Sequence, residues 1–211
     1  MAKNKKPKHI AVAGNIGAGK TTLTEMLSKH YKWIPQFEDV DHNPYLNDFY
    51  EDMPRWSFNL QIYFLNSRLN QLLDIHRGTE TVIQDRTIYE DAKIFAPNLH
   101  DMGLMGKRDF DNYYRFFETL KTMVKPPDLL IYLKASVPTL VGQIQKRGRD
   151  YEENIRLDYL KKLNELYNNW IESYNEGPLL IIDADTNKFA ENDEDFGKVI
   201  SKVDAMLFGL F

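Results

Sequence analysis

Five short runs of apolar residues punctuate the chain: "HIAVAG" (His9–Gly14), "WIPQFE" (Trp33–Glu38), "TVIQD" (Thr81–Asp85), "DLLIYL" (Asp128–Leu133) and "PLLIID" (Pro178–Asp183). Such runs read as strands, and a strand that lacks regular polar alternation is covered on both faces. Longer stretches with helical spacing separate them, clearest over Pro54–His76, Asp109–Met123, Pro138–Lys146, Ile155–Asn175 and Asp193–Leu207. Alternating strands and helices predict an α/β fold: a parallel five-stranded sheet with helices on both faces and ligands at the carboxyl ends of the strands. The expected organisation is a single domain over residues 9–211, preceded by a basic tail at 1–8.

Composition narrows the picture. The 211 residues are 43% hydrophobic and 27% charged, the balance of an ordinary globular protein. Apolar runs fall well short of the roughly 20 residues a membrane helix needs, and no charged-then-apolar signal opens the chain. The absence of cysteine excludes disulfides and thiolate metal sites and suits a reducing compartment, so a cytoplasmic protein is expected. A net charge of −4 gives no broad basic footprint for nucleic acid, which leaves a local positive site for a small phosphorylated ligand. The lysines of "MAKNKKPKH" read as a solvated tail.

That local site is "GNIGAGKT", Gly14–Thr21, which fits G-x-x-x-x-G-K-[ST] between an apolar strand and the helical "TTLTEML". Gly14, Asn15, Ile16, Gly17, Ala18, Gly19, Lys20, Thr21 and Thr22 are the candidate cradle for a nucleoside triphosphate. Its backbone N–H groups meet the phosphates at a helix start, where the dipole also favours anions. Lys20 reaches the β and γ phosphates, and Thr21 with Asp85, which ends "TVIQD", forms a candidate Mg²⁺ site. An acid after a strand also serves as a helix cap. In "QKRGRDYEEN", Arg147 and Arg149 flank a glycine between two helices, as in a short lid near 147–154 that brings guanidinium groups onto a transferring phosphoryl. No base-reading "NKxD" and "DxxG" pair of a GTPase occurs at the expected strand ends.

The ordered set "GNIGAGKTT", Glu38 in "FEDV", "PRWSFNLQIYFLNSR", "DRTIYEDAKIFAPNL" and "YLKASVPTLVGQIQKRGRDYEE" resembles the deoxyribonucleoside kinase family. The likeness is nearest to its deoxyadenosine/deoxyguanosine and deoxycytidine kinase branch, and it runs from His9 to the last helix. It implies that Glu38 is the general base on the nucleoside 5′-hydroxyl and that Arg86 neutralises phosphate charge and orients that base. Gln61 and Phe64 belong to the base site, and Phe95 is the aromatic that stacks on the base. Arg68 and Asp91 form a pair that reads exocyclic groups. Tyr50 and Glu152 hold the 3′-hydroxyl. Gln61, Phe64 and Arg68, at i, i+3 and i+7, share one helix face.

Departures from the family pattern are Asp39 where proline usually follows the glutamate, Asp85 and Thr87 in place of glutamate and serine, and Gln143 where some animal members carry a further lid arginine. "DADTNKFAENDEDF" corresponds to the donor-adenine loop, and the helix "DFDNYYRFFETLKTMV" offers surface for the homodimer usual in the family. A deoxynucleoside triphosphate is a further expected partner, as feedback inhibitor. The resemblance thus implies transfer of the γ-phosphate of Mg·ATP to the 5′-hydroxyl of a deoxyribonucleoside, deoxyadenosine first and deoxyguanosine or deoxycytidine next. A nucleoside monophosphate kinase of the thymidylate type shares the cradle, a "DR" motif and an arginine lid, and a nucleotide-dependent switch would hydrolyse without an acceptor.

Overall fold

Strand β1 (His9–Gly14) is buried at all six positions, as an unbroken apolar run should be at the centre of a parallel sheet. The computed structural model describes residues 8–38, 42–149 and 155–209. Around β1 lie β2 (Ile34–Gln36), β3 (Val82–Asp85), β4 (Leu129–Lys134) and β5 (Leu179–Asp183), in the order β2-β3-β1-β4-β5 and all parallel. Alternate residues face opposite layers. Ile10, Val12, Ile131 and Leu133 pack with Leu23 and Leu27 of α1 (Lys20–Tyr31) and with Val199 and Val203 of a helix at Asp193–Phe208. Ala11, Ala13, Leu130 and Tyr132 meet Leu60 and Phe64 of a long helix at Met53–Arg77, and Leu163 and Tyr167 of a helix at Leu157–Glu172. Each buried leucine contributes roughly 1.5–3 kcal/mol, so the two layers fix the sheet from both sides.

In chain order the remaining labels are α2 (Leu46–Glu51), α3 (Met53–Arg77), α4 (Ile88–Glu90), α5 (Ala96–Asp101), α6 (Lys107–Lys121), α7 (Val137–Arg147), α8 (Leu157–Glu172) and α9 (Asp193–Phe208). Helix α3 starts where the Asp52 carboxylate accepts the Arg55 N–H at 3.2 Å, with Pro54 in the first turn, and it stops before Gly78. Asn192 caps α9 by accepting the N–H groups of Glu194 and Asp195 at 2.8 and 3.4 Å.

Three features differ from the expectation drawn from pattern, the first being α2, over Leu46–Glu51, where no helix is predicted. The second strand is three residues long rather than six, because Pro35 lacks an N–H and Trp33 is taken up by the end of α1, its N–H donating to Ser28. Glu38 therefore lies two residues beyond the end of β2. After β3 the chain forms α4, a π-helical turn over Asp91–Phe95, and α5, where no helix is predicted from the sequence. Most of this segment is buried, so its sequence lacks the polar face that makes a helix legible.

Candidate active site

The cradle forms where β1 gives way to α1. Gly17 has φ +83°, and a Cβ there would stand 2.7 Å from the Leu140 carbonyl oxygen, so only glycine lets the loop lie against α7. Gly19 precedes α1 and supplies no side-chain cap, and the N–H groups of Lys20, Thr21 and Thr22 make no backbone hydrogen bond among the described residues. An uncapped helix start with open donors is a ready anion site. Asn15 instead turns away from it: its amide donates to the Leu160 carbonyl and to Asn164 Oδ1, both at 3.2 Å, and so ties the loop to α8.

A cavity of about 290 Å³ opens beside the loop. Its lining includes Lys20, Thr21, Asp85 and Arg86 together with Gln61, Phe64, Asp91 and Phe95. Glu38, Tyr50, Arg147 and Arg149 also line it. A neighbouring cavity of about 280 Å³ shares Gly17, Lys20, Thr21, Arg147 and Arg149 and adds Gly19, Thr22 and Gln143. The two together make a cleft with a basic middle. Ile16 and Gly17 also line the first cavity, whereas Gly14, Asn15 and Ala18 shape the loop from behind. Glu152 and Asp39 lie outside the described residues, as do positions 150–154 of the expected lid.

Charge is concentrated where the cavities meet. The Glu38 carboxylate accepts from Arg68 Nη2 at 2.9 Å and lies 3.4 Å from Arg86 Nη1. Burial pushes this carboxyl up, but Arg86, Arg68 and Lys20 together outweigh it and pull the group down to about 2. Burial also lowers Lys20 to about 8, assisted by Arg86 and opposed by Asp85, Glu90 and Glu38. Arg68 does not line the cavity; it is fully buried behind Glu38 and Asp91, with its Nε 3.4 Å from Asp91 Oδ2. Arg86 has φ +69°, a left-handed backbone rare for residues other than glycine, and its guanidinium lies over the Phe95 ring at 4.3 Å. The Phe37 carbonyl, next to Glu38, accepts from Gln71 Nε2 at 2.8 Å, and Gln71 in turn accepts from Gln84.

Asp91 offers a test of this electrostatic picture. Burial pushes its carboxyl up to about 7; Arg68 and Arg86 oppose the shift, and Glu38 and Glu90 reinforce it. A carboxyl raised in the folded state contributes stability at acid pH that is lost as pH climbs through about 7. Asp91→Asn is therefore expected to gain on the parent protein by at least about 2 °C in melting temperature between pH 5 and pH 8. A melting difference independent of pH would contradict that assignment.

The metal expectation fits the donors present. Thr21 Oγ1 donates to Asp85 Oδ2 at 2.6 Å, and Asp85 Oδ1 is buried without a hydrogen-bond partner. One carboxylate and one hydroxyl beside a phosphate cradle are the hard, sparse ligand set of Mg²⁺, which keeps waters and phosphate oxygens for the rest. Gln61 Oε1 is likewise buried and unpartnered, an acceptor open to a donor on a ligand. Residues absent from the sequence reading also belong to the site: Phe37, Leu46, Phe49, Leu60 and Tyr159 line the cavity, and Glu90 lies behind it. Glu90 was legible in principle, since T-x-x-E at Thr87–Glu90 is a capping-box spacing, and both of its reciprocal bonds form.

With this geometry in hand, the comparisons fall in one place. The family described as deoxynucleoside kinase matches residues 10–208. The chain is 37% identical over 200 residues to the deoxyadenosine/deoxycytidine kinase of Bacillus subtilis, covering 94% of this chain and 92% of that protein. It is 38% identical over 207 residues to a deoxyguanosine kinase of Lactobacillus johnsonii, again covering 94% and 92%. Among solved structures, deoxyadenosine kinase from M. mycoides with bound dATP superposes with a TM-score of 0.83 at 30% identity, over 93% of this chain and 99% of that one. The cradle, the parallel sheet and the near full-length similarity agree, and the chain belongs to the deoxynucleoside kinase family.

Proposed function

We propose that this protein transfers the γ-phosphate of Mg·ATP to the 5′-hydroxyl of a 2′-deoxyribonucleoside, with deoxyadenosine preferred and deoxyguanosine and deoxycytidine as further acceptors. The observation that carries the reading is the Glu38 carboxylate, held between Arg68 and Arg86 in the cavity that also contains Lys20 and Thr21. Glu38 takes the hydroxyl proton as the bond from O5′ to phosphorus forms and the bond to the departing ADP breaks. Lys20, Arg86, Arg147 and Arg149 carry positive charge toward the phosphoryl oxygens. Thr21 and Asp85 hold the Mg²⁺, which when bound supplies neutralising charge to the phosphates.

Gln61, Phe64, Asp91 and Phe95 receive the base, with Arg68 acting on it through Asp91. Tyr50 holds the 3′-hydroxyl, and Glu152 is assigned the same role by the family likeness. The relatives named for deoxyadenosine, deoxyguanosine and deoxycytidine support a purine or cytosine acceptor. Structures of the M. mycoides enzyme with bound dATP and dCTP support triphosphate inhibition. Exposed Phe116 and Met123 support a homodimer joined through α6. The proposed use of Mg·ATP as donor supports residence in the cytoplasm.

The test is ADP formation from Mg·ATP with each deoxyribonucleoside and each deoxyribonucleoside monophosphate, with the product identified in every case. Turnover of deoxyadenosine to its 5′-monophosphate is expected. Turnover of monophosphates alone would replace this reading with a monophosphate kinase, and ADP release without any acceptor with a hydrolytic switch.

A further inference from the structure

Glu90 is fully buried, and beyond its part in the local cap it takes no part in the reaction proposed above. Its Oε1 accepts from the Gly14 N–H at 3.2 Å and from the Tyr167 hydroxyl at 2.8 Å. Its Oε2 accepts from the Thr87 N–H at 2.8 Å and lies 3.3 Å from the Thr87 hydroxyl. Gly14 opens the phosphate cradle, Thr87 follows the left-handed Arg86, and Tyr167 belongs to α8. One carboxylate therefore joins three elements at the point where the site's cations converge.

A helix cap needs only the Thr87 contacts. The bonds to Gly14 and Tyr167 span 76 and 77 residues of sequence and exceed what capping requires. A backbone N–H can only donate, and one such group faces each carboxylate oxygen, so both oxygens must accept. Glutamine can satisfy one of these N–H groups and must turn its NH₂ toward the other. Burial raises the Glu90 carboxyl, and Arg86, Lys20 and the bonds from Thr87 and Tyr167 oppose that shift.

We propose that Glu90 is a positioning residue that fixes the first glycine of the cradle and the Arg86 corner as one unit. This rests on the reading of Gly14–Thr22 as the triphosphate cradle and of Arg86 as a cation at the phosphoryl group.

Steady-state kinetics with Mg·ATP and deoxyadenosine test it. Glu90→Gln is expected to lower kcat/KM for Mg·ATP about 10- to 100-fold, the scale of a displaced cradle. The loss should fall on kcat and on KM for Mg·ATP, with KM for deoxyadenosine within about twofold of the parent, because Glu90 bonds to the cradle and the Arg86 corner and not to the base-facing side chains. Glu90→Asp is too short to span both N–H groups, so it should lose rate in the same way. Tyr167→Phe removes one hydroxyl only and should lower kcat/KM by about threefold, with faster amide exchange at Gly14.

A folded Glu90→Gln enzyme with the parent kcat/KM for Mg·ATP would overturn the proposal, as would a loss confined to KM for deoxyadenosine. If neither Glu90 variant folds, Tyr167→Phe decides, and parent values for both kcat/KM and Gly14 exchange count against it. A parent protein inactive on deoxyadenosine sinks the kinase reading instead.

Discussion

Glu38→Gln is expected to lower kcat by roughly 10²- to 10⁴-fold, the usual contribution of a positioned general base, with little change in the affinity for Mg·ATP. The side chain is 16% exposed and bound on its inner side by Arg68, so the glutamine can keep one of those bonds and the fold. Because the carboxyl is drawn down to about 2, it is ionised throughout pH 5–8 and should contribute no acid limb to the rate profile. So weak a base suits phosphoryl transfer, in which the proton leaves late and positioning supplies most of the acceleration. The depressed value also has a stability consequence. The ion cluster contributes fully above the ordinary carboxylate range and is lost as pH falls toward 2. Single-turnover kinetics on the folded variant settle the matter, and near-parent turnover would remove Glu38 from the role of base.

Arg86 should be equally indispensable, and its backbone permits two variants to be played against each other. Loss of a guanidinium that stabilises a transferring phosphoryl lowers kcat by about 10³-fold or more, so Arg86→Ala and Arg86→Gly are both expected to be nearly inactive. Their stabilities should differ. At φ +69° alanine keeps the left-handed strain and glycine relieves it, so the glycine variant should be more stable than the alanine variant by about 1 kcal/mol. Parallel denaturant titrations and activity assays read both quantities. An Arg86→Ala enzyme with substantial turnover would place the phosphoryl charge elsewhere, and equal stabilities would mean that the corner relaxes when the side chain is removed.

What the sequence discloses here follows from burial. The inner strands are apolar because layers cover both faces, and the cradle is explicit because glycine, lysine and threonine recur at fixed spacing. Gln61, Phe64 and Arg68 were readable as one face of α3, but the periodicity says nothing about depth. Arg68 sits one layer behind the cavity, and the side chain in front of it, Asp91, comes from the π-helical turn. That turn was not readable, since a segment enclosed by α3, α6 and α8 has no solvent side to imprint a period. Glu90 escaped for a related reason. Its nearest partner is a local cap visible in sequence, while the contacts that give it weight reach Gly14 and Tyr167 across the fold.

The three-residue β2 has a further consequence for how molecules of this protein meet. It forms one margin of the sheet, and one of its three positions is Pro35, which has no N–H to donate. A neighbouring chain cannot extend the sheet along a margin so short and so poor in donors, which guards against the ribbon-like stacking that leads to fibrils. Crowded solutions of the folded protein should then resist strand-to-strand association at this margin.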